Sequence, residues 1–260
     1  MVDVLKVSMR LSWHIVRRNW VVYKKDFIAN ISPTLSDPAF FMLSLGIGLG
    51  AFITEIEGLS YAAFLAPGLA AMSALFTSFF ESSYGFFVRM TFENIFKAML
   101  TTPIGVKEVF IGEMIWVALK GGVMSFMVAL VLVPFGLVAH VPSLPLIFFI
   151  GCLIALACGA IGLIATALVH NINQFQTVYS FIISPLMFFS GIFYPLKQSP
   201  EILQWIALCF PVSHGVLASQ SVFWARDLSK AFSVHVPILC LQALILCLIA
   251  YKLIRPKLQQ

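Results

Sequence analysis

Residues Arg89–Val106, RMTFENIFKAMLTTPIGV, form a short charged segment between two long apolar runs. Each flanking run is long and apolar enough to cross a membrane as a helix. A polar hairpin between two membrane spans meets water on one side of the membrane. We therefore expect this hairpin to be the part of the chain that contacts a soluble partner.

The composition is that of a membrane protein. Hydrophobic residues make up 60% of the 260 residues, charged residues make up 10%, and the mean hydropathy is +0.98. An average soluble domain carries about 25% charged residues, so a soluble fold of this composition would lack polar atoms to cover its surface. The net charge of +5 does not indicate nucleic-acid binding, because the basic residues lie at the edges of the apolar runs. The five cysteines contain no CxxC pair and do not form the pattern of a disulfide framework.

Six segments have the roughly 20 mostly apolar residues that a transmembrane helix needs. They are Leu35–Ile53, Tyr61–Val88, Ile111–Leu137, Leu144–Val169, Phe175–Tyr194 and Val234–Ile254. The runs are continuous and do not alternate every second residue, which favours helices over a barrel. We predict an all-α membrane protein in which residues 1–260 form one transmembrane domain. Residues 1–30 would be an interfacial helix and residues 31–260 a six-span bundle.

Lysine and arginine are distributed unevenly about these spans. Twelve lie in the N-terminal segment, the turn after the second span and the C-terminal tail, against three in the segments on the other side, Lys197, Arg226 and Lys230. Because short cytoplasmic segments carry an excess of positive charge, both termini and the hairpin are predicted to be cytoplasmic.

The N-terminal residues Val4–Phe27 place Trp13, Val16 and Trp20 among five basic side chains. Tryptophan beside cations is typical of an amphipathic helix lying in the headgroup plane, and a solvated basic tail is the alternative. Pro33 and Pro38 are expected to end this helix and turn the chain into the bilayer.

No catalytic or nucleotide-binding motif occurs in the sequence. The absence of any Gly-Lys dipeptide excludes a P-loop, and neither HExxH nor GxSxG is present. We therefore expect any energy that the protein uses to come from a partner or from an ion gradient, and we predict no enzymatic activity, metal or cofactor in this chain. One alternative is a haem-handling protein or intramembrane enzyme, which would need two of the five histidines to converge at one depth. Another is a gradient-driven carrier, which would need acids at the midplane.

Glu81 and Lys120 fall inside predicted spans, where charge is costly. Glu81 lies about two turns before the end of the second span, and Lys120 about two turns into the third. Antiparallel spans would bring the two side chains to a similar depth, so we predict an ion pair that braces the hairpin. The alternative is that Lys120 extends alone toward the interface.

The segment Pro195–Lys230 is unusually apolar for a loop, and each half of it is too short to span the membrane. This composition favours two half-helices that dip into the outer leaflet and return, with a small cap in solvent as the alternative.

Four stretches of the chain resemble the permease subunit of type-2 ABC exporters, in particular the nodulation-protein-J-like group and related lipooligosaccharide, polysaccharide and drug exporters. They are FENIFKAMLTTPI at Phe92–Ile104, GEMIWVALKG at Gly112–Gly121, SPLMFFSGIFYPL at Ser184–Leu196 and FPVSHGVLASQSVFW at Phe210–Trp224. The resemblance extends over nearly the whole chain, and the stretches occur in the family's order between the predicted spans.

The resemblance implies a homodimer (in preference to a heterodimer) of six-span subunits in a bacterial cytoplasmic (inner) membrane, paired with a dimer of cytoplasmic ATPase subunits that hold ATP and Mg²⁺. It implies that a rigid helix over Phe92–Thr102, ended by Pro103, docks into the ATPase as a coupling helix. Glu93 and Lys97, four residues apart, would either stabilise this helix or contact the ATPase. The implied docking residues are Phe92, Glu93, Ile95, Phe96, Lys97, Thr101, Thr102 and Pro103.

The resemblance also implies the direction of transport and the outer gate. The substrate would be a lipid-linked saccharide or another amphiphile moved outward, and a drug or lipid efflux permease of the same architecture is the alternative. The two re-entrant helices would close the outer side, with Pro211, His214 and Gln220 as gate residues. An aromatic group near the end of the fifth span is the candidate substrate path: Phe188, Phe189, Phe193 and Tyr194.

Overall fold

The computed structural model describes residues 2–53, 55–226 and 228–259. In this part of the chain the regular secondary structure is helical, and turns and loops connect the helices. The side chains of residues 2–8, 33 and 34 lie outside this description, and so does the basic group of Lys6. Among the described residues, strand-like pairing is limited to one isolated bridge between Ile56 and Leu59.

We number the helices in chain order and include short π-helical or 3₁₀ turns that continue a helix. They are α1 (Val2–Lys25), α2 (Phe27–Ala51), α3 (Tyr61–Thr91), α4 (Ile95–Leu100), α5 (Val106–Phe135), α6 (Val141–Leu168), α7 (residues 174–189), α8 (Glu201–Cys209), α9 (Pro211–Phe223) and α10 (Leu228–Leu258).

Five of these helices are long and apolar enough to cross a membrane: α2, α3, α5, α6 and α10. The number rises to six if α8 and α9, which are bent by 96°, together count as one broken span. The fifth predicted span, Phe175–Tyr194, is shorter than expected, because Ser190 leaves helical geometry and Gly191 has a φ of +77°. The 16 residues of α7 cover about 24 Å, less than the roughly 30 Å of hydrocarbon in a bilayer.

The break between α1 and α2 lies at Asp26 and not at the prolines. The prediction that Pro33 and Pro38 end the N-terminal helix is therefore wrong, since α2 continues through both. Helices that cross membranes tolerate proline where local adjustments of the helix satisfy the freed carbonyls. In α2 a π-helical turn, Met42–Gly48, follows Pro38 within the same helix.

Helix α1 packs along α5 through a buried stripe. Ile15 and Val16 are 1% and 4% exposed, whereas Trp13 and Trp20 are 57% and 49% exposed. Gly112 makes this contact possible, because a Cβ there would lie 2.8 Å from the backbone oxygen of Ser12. The interfacial location of α1 remains a prediction.

The centre of the bundle is formed by α3, α5 and α6, which approach closely at small residues. A Cβ on Gly121 of α5 would lie 2.4 Å from the Cβ of Ala155 on α6, and one on Gly159 would lie 2.6 Å from Val117. The four-residue spacing of Ala155 and Gly159 therefore serves packing within the chain. By contrast, the most apolar windows of α2 and α10 are only 12% and 11% buried, so these helices face outward.

Candidate functional site

The predicted coupling segment contains a shorter helix than the sequence indicated. Helix α4 covers only Ile95–Leu100, because Asn94 adopts the left-handed conformation with φ 52° and separates it from α3. Asparagine tolerates this conformation better than most residues. The prediction of one helix over Phe92–Thr102 is therefore wrong, and so is that of a helical Glu93–Lys97 pair. Pro103 does not end the helix, since Leu100 is its last residue.

The residues of the hairpin divide into one anchor and an exposed rim. Phe96 is 1% exposed, and its ring lies 4.5 Å from that of Phe86, centroid to centroid. It packs in a cluster that includes Ile15 of α1, Val109 of α5 and Ile254 of α10. The exposed predicted docking residues are Phe92, Glu93, Lys97, Thr101, Thr102 and Pro103, and Ile95 is half-buried.

The far end of the hairpin is tied to the start of α5. The backbone N–H of Gly105 donates to Oε2 of Glu108 at 3.1 Å, which satisfies a donor next to the helix end. Helix α5 therefore begins at Val106, five residues before the predicted third span.

The contact predicted between Glu81 and Lys120 is present. Lys120 Nζ donates to Oε2 of Glu81 at 2.6 Å, and both side chains are about one-eighth exposed. Glu81 lies in a π-helical turn of α3, Glu81–Gly85. Such turns widen a helix locally and are frequent at functional sites.

Two further charged residues complete this group, and neither was predicted from the sequence. Arg89 donates through Nη1 to Glu81 at 2.8 Å and through Nη2 to Glu113 at 2.8 Å. Asn19 of α1 donates to the other oxygen of Glu113 at 2.9 Å. We call Glu81, Arg89, Glu113 and Lys120 the charge cluster. It contains two anions and two cations, and it joins α3 to α5 and, through Asn19, to α1.

A spacing signal for the missing members was present in the sequence. Glu81 and Arg89 are eight residues apart, and Glu113 and Lys120 are seven apart, so each pair lies near one face of its helix. Arg89 had been assigned to the cytoplasmic turn, whereas it is a buried part of α3.

Helix α1 also contributes an aromatic ring, Tyr23, and a half-buried cation, Arg18, beside the charge cluster. Lys120 Nζ lies 4.9 Å from the centroid of the Tyr23 ring. Burial raises the pKa of the Tyr23 hydroxyl, and the Glu81 carboxylate adds to this effect. Burial lowers the pKa of Arg18, an effect that the Glu113 carboxylate opposes.

A cavity of about 440 Å³ opens beside the charge cluster, and we call it the α3 cavity. Helix α3 contributes seven of its twelve lining residues, and the remainder come from α2, α5 and α7. The lining combines aromatic and charged side chains, namely Asp37, Phe76, Phe80, Glu81, Lys120 and Tyr179. The cavity can therefore hold a molecule that has both apolar and polar parts.

The predicted aromatic path lies elsewhere. Phe188 and Phe189 are exposed at the end of α7, and Phe193 and Tyr194 are half-buried in the turn that follows. None of these four lines the α3 cavity, whose aromatic wall is formed by Phe76, Phe80 and Tyr179.

The predicted gate residues lie at the end of the bundle away from the hairpin. Pro211 is the first residue of α9. His214 is 4% exposed, and its Nε2 lies 3.0 Å from the Leu208 carbonyl oxygen, to which it donates. Its Nδ1 lies 3.2 Å from Nδ1 of His235 on α10. Gln220 lines a separate cavity of about 270 Å³.

The two histidines do converge, but they pair with each other. Among the described residues, no group of three or more histidine, cysteine or acidic side chains has the geometry to hold a metal ion.

A helical membrane bundle with a buried charge cluster and an amphipathic cavity between spans is the architecture expected of a membrane permease. The chain belongs to the ABC-2 type transporter family, whose profile matches residues 10–224.

Individual relatives define the group within that family. Nodulation protein J of Rhizobium leguminosarum bv. viciae is 31% identical over 254 residues, which cover 96% of both chains. Nodulation protein J of Rhizobium meliloti strain 1021 is 30% identical over 245 residues, 93% of this chain and 92% of that protein. The inner membrane transport permease YadH of Escherichia coli strain K12 is 22% identical over 211 residues, 78% of this chain and 80% of that protein. The chain is thus an ABC-2 permease of the nodulation-protein-J-like group, the transmembrane subunit of an ABC exporter.

Proposed function

We propose that this permease moves an amphipathic substrate, in the first instance a lipid-linked saccharide, from the cytoplasmic side of the membrane outward. The observation that carries the proposal is the α3 cavity, in which aromatic rings and a buried ion pair line one space between spans. An amphiphile needs both kinds of surface, because its apolar and polar parts must be satisfied together.

A separate ATPase subunit would supply the energy. The chain contains no P-loop. The hairpin between α3 and α5 has an exposed rim at Phe92, Glu93, Lys97 and Thr101–Pro103 that suits a partner surface. A push on this rim would pass through Phe96 into the cluster that joins α1, α5 and α10.

The charge cluster would make the helices next to the hairpin move together. Arg89 lies two residues before the end of α3, and Glu113 lies two turns into α5. Asn19 ties α1 to the same group. A displacement of the hairpin would therefore rotate or translate α3 and α5 as one body and change the width of the α3 cavity.

The assembly we propose is a dimer of permease subunits, most simply a homodimer, with two ATPase subunits that bind ATP and Mg²⁺. Both termini and the hairpin would be cytoplasmic, and the membrane would be the bacterial inner membrane. The outward-facing apolar surfaces of α2 and α10 leave room for contacts with lipid and with the second subunit.

Helices α8 and α9 would close the outer end. Their 96° bend and their apolar surface, with Ile202 and Trp205 73% and 67% exposed, support a re-entrant pair that stays in the outer leaflet. His214 would fix α9 to α8 and α10 through its two hydrogen bonds.

The test is export in proteoliposomes that contain the permease and its partner ATPase. We expect ATP-dependent movement of a fluorescent lipid-linked saccharide, and none from the permease alone. Phe92→Ala should reduce transport without changing the amount of folded protein, and Phe135→Ala, at the other end of α5, is the matched control. ATP-independent transport by the permease alone would contradict the proposal.

Efflux of a drug or of another lipid is the second candidate. A cavity of about 530 Å³ between α1 and α5 favours it, because its lining is almost entirely apolar and includes Trp13, Trp20 and Trp116. Transport of a hydrophobic dye without a saccharide, at the rate of the lipid-linked saccharide or faster, would favour this candidate.

A further inference from the structure

We infer that the α3 cavity binds the polar head group of the exported amphiphile, and that this head group carries a protonated amine. The inference rests on the proposed function and adds the charge that the substrate must have at this place. It depends on Asp37, an acid of the cavity wall that the sequence analysis did not single out.

Asp37 is an acid without a partner among the described residues, and it lies within one of the helices that are long and apolar enough to span the membrane. It is the eleventh residue of α2, roughly 15 Å along the helix from its start, and its exposed side chain lines the α3 cavity. Its carboxylate forms no ion pair or hydrogen bond with any residue that the structure describes. Ionisable groups inside a span are costly and generally mark a pathway or a ligand site.

The other charged residues on the cavity lining, Glu81 and Lys120, are already paired with each other, and the half-buried Arg18 of α1 lies outside this lining. The ammonium group of Lys120 is held at 2.6 Å by the Glu81 carboxylate, whose second oxygen accepts from Arg89. Arg89 in turn pairs with Glu113, which does not line the cavity. The uncompensated charge on the lining is therefore the negative charge of Asp37. This charge attracts an ammonium group and repels a phosphate or a carboxylate.

The remaining lining suits an amine on a larger amphiphile. The ring of Tyr179 lies 5.8 Å from that of Phe80 and 6.1 Å from that of Phe76, centroid to centroid. These three rings form a wall on which an ammonium group or an apolar chain can lie. Thr77, 8% exposed and also on the lining, has a hydroxyl without a hydrogen-bond partner among the described residues. It can meet a polar group of the ligand after a small rotation.

The experiment compares two probes of opposite charge on the full-length chain. The probes are a dansyl-labelled alkylamine and a dansyl-labelled alkyl carboxylate of equal chain length. Their binding is measured by fluorescence titration of the chain in nanodiscs of neutral phosphatidylcholine. The variants are Asp37→Asn, which keeps the shape of the side chain, and Asp37→Glu, which keeps its charge. Glu57→Gln is the matched control, because Glu57 is an acid that lines the separate cavity of about 270 Å³ that contains Gln220.

We expect the unaltered chain to bind the amine at least about tenfold more tightly than the carboxylate, a difference of about 1.4 kcal/mol. Asp37→Asn should bring the two affinities within about twofold of each other. Asp37→Glu and Glu57→Gln should retain the preference.

Equal binding of both probes to the unaltered chain would overturn the inference, and this comparison needs no variant to fold. A preference that survives Asp37→Asn would also overturn it, because the preference would then come from another group. Neutralisation of Asp37 by the second subunit would appear as equal binding of the two probes to the unaltered chain. ATP-driven export is measured separately. Export without the amine preference would refute this inference alone, whereas the preference without any export would refute the proposed function.

Discussion

Replacing Arg89 by methionine should destabilise the folded protein more than replacing Lys120 by methionine. Arg89 bridges both acids of the charge cluster, at 2.8 Å from each. Its removal leaves Glu113, whose side chain is 1% exposed, with the amide of Asn19 as its remaining side-chain partner among the described residues. Breaking a buried ion pair from one side costs about 3–5 kcal/mol, because the other charge stays buried without compensation.

The removal of Lys120 leaves a smaller defect. Glu81 keeps Arg89 as a partner, so the loss is that of one charged hydrogen bond, about 1.5–3 kcal/mol. Since 1.4 kcal/mol is a factor of ten, Arg89→Met should raise the ratio of unfolded to folded protein by about two to four powers of ten. The control is Lys107→Met, an exposed lysine in the first turn of α5, which should change stability by less than about 0.5 kcal/mol.

The assay is the free energy of unfolding in mixed detergent and dodecyl sulfate micelles, followed by tryptophan fluorescence. The double variant Arg89→Met/Glu113→Gln should recover part of the loss, because it no longer buries an unpaired carboxylate. A loss for Lys120→Met that equals or exceeds that for Arg89→Met would refute the assigned contacts. A charge swap between Glu81 and Lys120 would be a poor test, since it would place a lysine against Arg89.

Three further predictions concern packing. Phe96→Ala should destabilise the protein by about 3–5 kcal/mol, because the Phe96 ring is buried against Phe86. Phe92→Ala should leave the free energy of unfolding unchanged and lower only the coupled ATPase activity. Equal stability of the two variants would be inconsistent with the anchor role of Phe96. Gly112→Val should separate α1 from α5 and cost about 1–3 kcal/mol, seen as faster proteolysis of α1, and unchanged proteolysis would count against the close contact. Trp224→Phe should cost about 1 kcal/mol in the same unfolding assay, because the indole N–H donates at 3.1 Å to a backbone carbonyl of α3; a stability equal to that of the unaltered chain would argue against this bond.

Hydropathy predicted the approximate positions of five of the six spans, but it did not predict their ends, and the helix of the predicted span Phe175–Tyr194 is too short to cross the membrane. Helix α5 begins at Val106, where the Glu108 carboxylate accepts a hydrogen bond from the Gly105 N–H. Hydropathy predicts the start of this span at Ile111, because the first turn of the helix contains charged residues. Helix α7 ends early because of the backbone at Ser190 and Gly191. Hydropathy does not report either effect, since both depend on local hydrogen bonds and dihedral angles.

The site was predicted in part. Glu81 and Lys120 could be paired from depth alone, because antiparallel helices have a fixed rise per residue. Arg89 follows the predicted end of the second span, where hydropathy indicates a solvated cation, and Glu113 lies near the predicted start of the third span. The spacing of each residue from a member of the first pair was visible in the sequence. The left-handed Asn94 depends on how the chain turns over Phe96, which only the packed structure gives. Asp37 was visible as an acid within a predicted span, but its lack of a partner needed the three-dimensional arrangement.

We expect a separate ATPase to drive this permease through the hairpin between α3 and α5. Photocrosslinking in intact cells, with benzoylphenylalanine placed at position 92, tests this directly. Position 135, at the other end of α5, is the control. The native side chains Phe92 and Phe135 are 64% and 71% exposed. We predict that position 92 forms an adduct with an ABC ATPase subunit, identified by mass spectrometry, and that position 135 does not. No ATPase adduct from position 92, or an ATPase adduct from position 135, would contradict the account.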